Sequence, residues 1–526
     1  MASVALLLAI ASVNIANLLL ARGARRRAEF AMRIALGAGR RRLLRQLVTE
    51  SAVLAALGGG LGLVIAPLGV RALIAASPPG LPRVDAIRVD TPVLLFAAAL
   101  TSFVGLLVGL APALGAMRAG GGARHATARR GGLRGALVVT ELALALTLLV
   151  SAGLLFRSVR QLLAVDPGFD PAGVVTLQAI GAGRAFDTDA ARFQFFEEAL
   201  AAVRGVPGVE RAGFTSQLPL SGEVDGYGYE VEALPDRQPG ESGSALRYAV
   251  SPEYFATMGI PLLAGRRLDD GDRPGAPPAV VINRSFARRL FGDADPLGER
   301  LRFGPQMGDG PWSEVVGVVG DVRHYSLAVD PPDAFYVANG QWVWADNVQT
   351  LVVRAAAGRA GALVRSLTRA VWSVNPNVPI VRVRPMAGFV AASAGNRRFT
   401  LLALQALALM ALLLAAVGLY GVVSGSVTER TREIGIRTAL GATPGAVVGQ
   451  VVRHAETLTL TGIAVGLVGA YAGSRLIGSM LFGVSTLDPL TYGAVAALLA
   501  VVALLAAWGP ARRAAAVDPT VALRGE

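Results

Sequence analysis

Long apolar stretches without a single charge constrain this chain more than any other feature. Met1–Ala21, Ser51–Val70, Thr91–Met117, Phe399–Thr428, Thr457–Ser474 and Pro489–Ala511 each run 18 residues or more in this way. A seventh stretch, Gly135–Phe156, is interrupted only by Glu141. At 1.5 Å per residue, a helix of that length crosses about 30 Å of hydrocarbon. A helix also satisfies its own backbone polar groups, which lipid cannot do. The expected fold is therefore a membrane protein, an α-helical bundle of seven transmembrane helices. Residues 158–397 have ordinary polar composition and are expected to form one large extracytoplasmic α+β domain.

Composition removes most catalytic chemistry. Only 17% of residues are charged, against roughly a quarter in soluble domains. There is no cysteine, and all 50 basic residues are arginine. Thiolate metal sites, cysteine nucleophiles and a P-loop lysine are all excluded. No Gly-x-Ser-x-Gly or His-Glu-x-x-His motif occurs. The three histidines, His125, His324 and His454, lie far apart in sequence. His324 near Asp321 is expected to be an ordinary satisfied surface residue, and Asp269, Asp270 and Asp272 a solvated turn. The chain is expected to be no enzyme and to hold no metal or cofactor.

The net charge of +13 raises the question of nucleic acid, which the placement of the arginines answers. Arg22 to Arg45 contains nine arginines and one acid, Glu29, and Arg118 to Arg134 contains five arginines and no acid. The connections at the other ends of the spans are nearly balanced. The positive-inside rule makes the basic loops cytoplasmic. The N-terminus is then outside, the C-terminus cytoplasmic, and the large domain outside. The basic surplus serves topology and contact with the lipid bilayer, so no nucleic-acid partner is expected. Glu141, near a cytoplasmic end, is expected to snorkel.

An internal repeat organises the chain. Shifted by 404 residues, Glu29, Arg33, Ala35, Leu36, Gly37 and Ala38 fall on Glu433, Arg437, Ala439, Leu440, Gly441 and Ala442. Gln46 meets Gln450, Gly58 meets Gly462, Gly62 meets Gly466 and Arg71 meets Arg475. The expected organisation is a first three-span module over 1–118, a basic cytoplasmic linker over 119–134, a span over 135–157, the outer domain over 158–397 and a second three-span module over 398–526. A span and an outer domain precede the second copy. Their counterparts for the first copy are expected upstream of residue 1.

Arg27 to Ala38 (RAEFAMRIALGA) and Thr431 to Thr443 (TREIGIRTALGAT) resemble the cytoplasmic loop of FtsX-like permeases, the MacB and LolC/LolE type of ABC transporter membrane subunit. Val250–Asp272, Ala279–Phe303 and Ser313–Val322 resemble the MacB-like periplasmic core domain. The resemblance implies a bacterial inner-membrane permease with an ABC-type ATPase as cytoplasmic partner, ATP on that separate subunit, and a periplasmic client or adaptor. It also implies mechanical coupling between ATPase and outer domain, in export or mechanotransmission. The alternative is a non-transporting, membrane-anchored periplasmic binding or scaffold protein, or an inactive fragment.

The candidate docking residues are Glu29, Arg33 and Gly37 in one loop and Glu433, Arg437 and Gly441 in the other. Each acid–arginine pair has i,i+4 spacing in the favourable order on a helix, and each glycine stands where the helix would turn out. Phe30, Ile34 and Leu36, with Ile434, Ile436 and Leu440 in the second copy, are expected to form an apolar side lying on the membrane interface. Gly58 and Gly62, like Gly462 and Gly466, have the small-xxx-small spacing of close helix packing.

Overall fold

The computed structural model describes residues 2–25, 32, 40–75, 87, 89–103, 123–233, 243–304, 310–356 and 358–517. It divides into a helical unit, residues 1–161 with 397–526, and a second unit over 162–396.

The helical unit contains α1 (Ala2–Arg25), α2 (Arg40–Ala75), α3 (Thr91–Phe103) and α4 (Ala123–Leu163). After the outer unit come α10 (Gly395–Glu429), α11 (Thr431–Ala439), α12 (Pro444–Leu476) and α13 (Pro489–Ala515). Seven spans were expected. Among the described residues five helices are long and apolar enough to cross a membrane, within α2, α4, α10, α12 and α13. The other two expected spans are represented by shorter apolar helices, Ser3–Asn17 and Thr91–Phe103. The rest of Thr91–Met117 lies outside the described residues. So does the early part of the basic linker, which from Ala123 onward continues as the first turns of α4.

Helix α4 is the centre of this unit. Two thirds of its apolar window is buried, against a third or less for every other spanning helix. Small residues let its neighbours approach: a Cβ on Gly462 or Gly466 of α12 would stand 2.7 Å from Leu142 Cβ or 2.9 Å from Ala143 Cα. Ion pairs fix α4 at both ends. Arg134 reaches Glu429 of α10 at 2.7 Å, and Arg157 pairs with Asp488, the residue that caps α13 by accepting from the Thr491 N–H. Glu141 does not snorkel. It is fully buried against Gly418 of α10, because α4 extends well past the apolar run and carries this position into the packed bundle.

The outer unit is α+β, with two lobes on one 11-stranded sheet. The first lobe has β1 (Val174–Ile180), α5 (Asp189–Arg204) and β2 (Val209–Thr215), then β10 (Val348–Ala355), α8 (Ala360–Val374) and β11 (Ile380–Pro385), followed by α9 (Met386–Ser393). These four strands lie side by side in the order β11-β1-β10-β2, all antiparallel. Two split βαβ units interleaved in this way form a ferredoxin-like layer. Its core joins Phe195, Phe196 and Leu200 of α5 and Leu363, Leu367 and Val371 of α8 to the sheet. The apolar positions of both helices recur at helical spacing, so each buries one face.

The second lobe is inserted between β2 and β10. It contains β3 (Gly226–Val231), β4 (Ser244–Val250), α6 (Tyr254–Met258), β5 (Leu262–Gly265), β6 (Ala279–Asn283), α7 (Arg284–Phe291), β7 (Arg300–Phe303), β8 (Ser313–Val319) and β9 (Ala334–Ala338). The order β4-β3-β7-β8-β6-β9 closes on itself through a parallel β4–β9 pairing. Closure removes the open edges that would otherwise invite foreign strands. Arg247 of β4 is buried beside this lobe. It bonds Asp225 and Asp346, and its guanidinium lies 4.8 Å from the Trp342 ring centre and 5.8 Å from those of Tyr227 and Trp344.

Candidate functional site

The second-copy loop folds as the run A-L-G-A-T-P requires. Helix α11 ends with the Leu440, Gly441 and Ala442 N–H groups donating to Ile436, Thr438 and Arg437 carbonyls. Gly441 takes φ 95°, a left-handed conformation that costs other residues about 1–2 kcal/mol. Thr443 then caps α12 by accepting from the Ala446 N–H at 3.3 Å, and Pro444 occupies the first turn, where its missing N–H costs nothing. The chain reverses within a few residues and leaves α11 as a short, separate helix.

Arg437 donates to Glu433 at 2.6 Å and to Gln450 of α12 at 2.7 Å. The Glu433 and Arg437 side chains are 49% and 51% exposed, so the pair contributes only a few tenths of a kcal/mol. Its physical effect is orientation, since Gln450 ties α11 to α12 through Arg437. The apolar residues divide between two faces. Ile434 packs inward on Val447 and Ala514, with Val427 and Val451 beside them, whereas Ile436 and Leu440 stand 44% and 83% exposed. The single apolar side expected from sequence is therefore corrected: residues 434 and 436 are about 200° apart on a helix. Between α10, α11 and α12 lies a cleft bordered by Arg430, Glu433, Arg437 and His454, with Val423 and Val451 among its apolar walls.

Glu29, Arg33 and Gly37 lie outside the described residues. Met32, in that first-copy loop, is described, is 62% exposed and is the repeat counterpart of Ile436. Gly462 and Gly466 lie against α4. At Gly58 and Gly62, by contrast, no atom of a described residue lies within 4 Å of where a Cβ would stand, and these two pack against no described helix. Gln450 was absent from the sequence-derived site, although its coincidence with Gln46 in the repeat was visible.

Among the described residues no second site emerges from the outer unit. His324 is buried, not at the surface. Its Nε2 donates to the Glu223 carbonyl, and its Nδ1 lies within hydrogen-bond distance of the Tyr248 hydroxyl. Burial accordingly pushes its pKa down, against the pull of Glu223. Asp321 is not its partner: it accepts from Asn283 Nδ2 at 2.7 Å and the Ser285 N–H at 2.8 Å. The acidic turn is tied by Arg266, which donates to Asp272 through both terminal nitrogens. Burial raises the Asp272 pKa, but Arg266 and the Asp269 N–H outweigh it and hold the carboxyl below its usual range. Among the described residues no three His, Asp or Glu side chains gather as a metal site.

The FtsX-like permease C-terminal family matches residues 1–120 and 406–519, and the MacB-like periplasmic core domain family matches residues 136–371. Together they cover most of the chain, which belongs to the MacB/FtsX-like family of ABC transporter permeases, multi-pass inner-membrane proteins with a periplasmic domain. The chain is similar to the macrolide export ATP-binding/permease protein MacB of Marinobacter nauticus, 26% identical over 396 residues, 71% of this chain and 59% of the relative. It is similar also to the ABC transporter permease YknZ of Bacillus subtilis, 24% identical over 340 residues, 64% of this chain and 81% of the relative. The crystal structure of the periplasmic region of MacB from Actinobacillus actinomycetemcomitans matches 41% of this chain and 90% of its own, at 18% identity and a TM-score of 0.28. The chain spans about three-fifths of the length of the MacB relative from Marinobacter.

Proposed function

We propose that this chain is the permease component of an ABC-type export or mechanotransmission system whose ATPase is a separate subunit. ATP would bind on that subunit; this chain has no lysine for a P-loop. The N-terminus would lie outside and the C-terminus in the cytoplasm, with α11 on the cytoplasmic face. A nucleotide-driven shift of the ATPase would move α11 and its first-copy counterpart, and the spanning helices would carry that motion to the periplasmic domain and its client. The chain itself would catalyse nothing.

The observation that supports this reading is α11 itself. It is a short helix reversed sharply at Gly441, oriented by Glu433, Arg437 and Gln450, and leaving Ile436 and Leu440 exposed on its surface. An exposed apolar pair beside oriented charges is what a partner surface offers and a solvated loop avoids. Native purification from the producing cell, followed by mass spectrometry, tests the reading. A stoichiometric ATPase subunit should accompany the chain and be lost when Glu29, Arg33, Glu433 and Arg437 are replaced by alanine. Folded protein without any ATPase would leave the membrane-anchored periplasmic scaffold as the better account.

A further inference from the structure

The repeat relates α1 to the second half of α10: Asn14 corresponds to Gly418 and Ile10 to Leu414. A hydrogen bond links the two helices. Asn14 Nδ2 donates to the Leu414 carbonyl at 3.2 Å, and Ile10 is fully buried. The two copies thus meet along equivalent helices, and that junction is polar. Asn14 and Asn17 are 4% and 3% exposed, and Glu141, fully buried on α4, lies against Gly418 one turn beyond Leu414. Where the first copy has Asn14, the second has Gly418, and a Cβ there would collide with the Glu141 carboxyl. Among the described residues, both Glu141 oxygens, both polar atoms of Asn17 and Asn14 Oδ1 have no hydrogen-bond partner.

Among the described residues no ion pair neutralises Glu141. The apolar runs of α1, α10, α12 and α13 contain none. On α4 the flanking Arg134 and Arg157 are already paired with Glu429 and Asp488. A carboxylate without a counter-ion in that environment is far costlier than a carboxylic acid, which can donate to an amide oxygen. We propose that Glu141 is an intramembrane proton-binding site, held as the neutral acid where α4 meets α10. The site is independent of any partner at α11.

Infrared spectroscopy of the full chain in lipid vesicles at neutral pH tests this, using wild type minus Glu141→Gln as the difference spectrum. The glutamine keeps shape and hydrogen bonding, so the variant should fold. A protonated-carboxyl C=O band should be present in the wild type and lost completely in the variant. Absence of the band from the difference spectrum would mean an ionised Glu141 and overturn the proposal.

Discussion

Replacing Gly466 by alanine tests the packing of the second copy against a control that the repeat supplies. At this position a Cβ would lie 2.9 Å from Ala143 Cα, 3.0 Å from the Ala143 oxygen and 3.1 Å from Leu146 Cβ. Two of those three atoms are backbone, so α4 and α12 must separate to admit the methyl. Overpacking of this kind costs about 1–3 kcal/mol. Alanine returns up to about 1 kcal/mol through helix propensity, leaving a net loss of about 0–2 kcal/mol. At the repeat counterpart, Gly62, no described residue lies within 4 Å of the added Cβ, so only the propensity gain of up to about 1 kcal/mol remains. The two variants should differ by about 1–3 kcal/mol, the size of the overpacking term alone. Thermal unfolding of both full-length variants in the same mild detergent measures that gap. Equal melting temperatures would refute the reasoning, because they would mean that α4 does not lie on Gly466.

Further expectations concern the loop and the outer unit. Gly441→Ala should strain the turn after α11 by about 1–2 kcal/mol and should weaken capture of the ATPase subunit more than it lowers the melting temperature. His324 has a lowered pKa in the folded protein, so the stability it contributes is present above its unfolded pKa of about 6.5 and is lost as pH falls below that. The melting temperature of the outer unit should decline in that range, and His324→Gln should flatten the decline. Arg247→Met should destabilise the outer unit by about 3–5 kcal/mol, the cost of removing one partner of a buried pair. Burial already pushes Asp346 upward against the hold of Arg247, so chemical denaturation of Arg247→Met should show partial recovery at acid pH.

Features that act within one element or repeat along the chain were legible. Five of the seven expected spans declare themselves by length and absence of charge. The loop pair Glu433–Arg437 follows from i,i+4 spacing alone. Features built from distant residues were not legible. Glu141 looked like a snorkelling end residue because its burial depends on Gly418, and His324 looked superficial because Tyr248 and Glu223 cover it. Arg247 gave no signal, since its cage comes from residues 225, 227, 342, 344 and 346. The split between Ile434 and Ile436 was recoverable from helical geometry but was masked by the hydrophobicity they share.

The central claim is that α11 is the surface the ATPase grips, and the absence of native cysteine allows a direct measurement. Leu440→Cys would place a single thiol at the most exposed apolar position of the loop. A short thiol-to-amine crosslinker added to the membranes should join this chain to one ATPase subunit, and added nucleotide should change the yield. A cysteine that reacts freely with soluble reagents, with no crosslinked ATPase in any nucleotide state, would contradict the account.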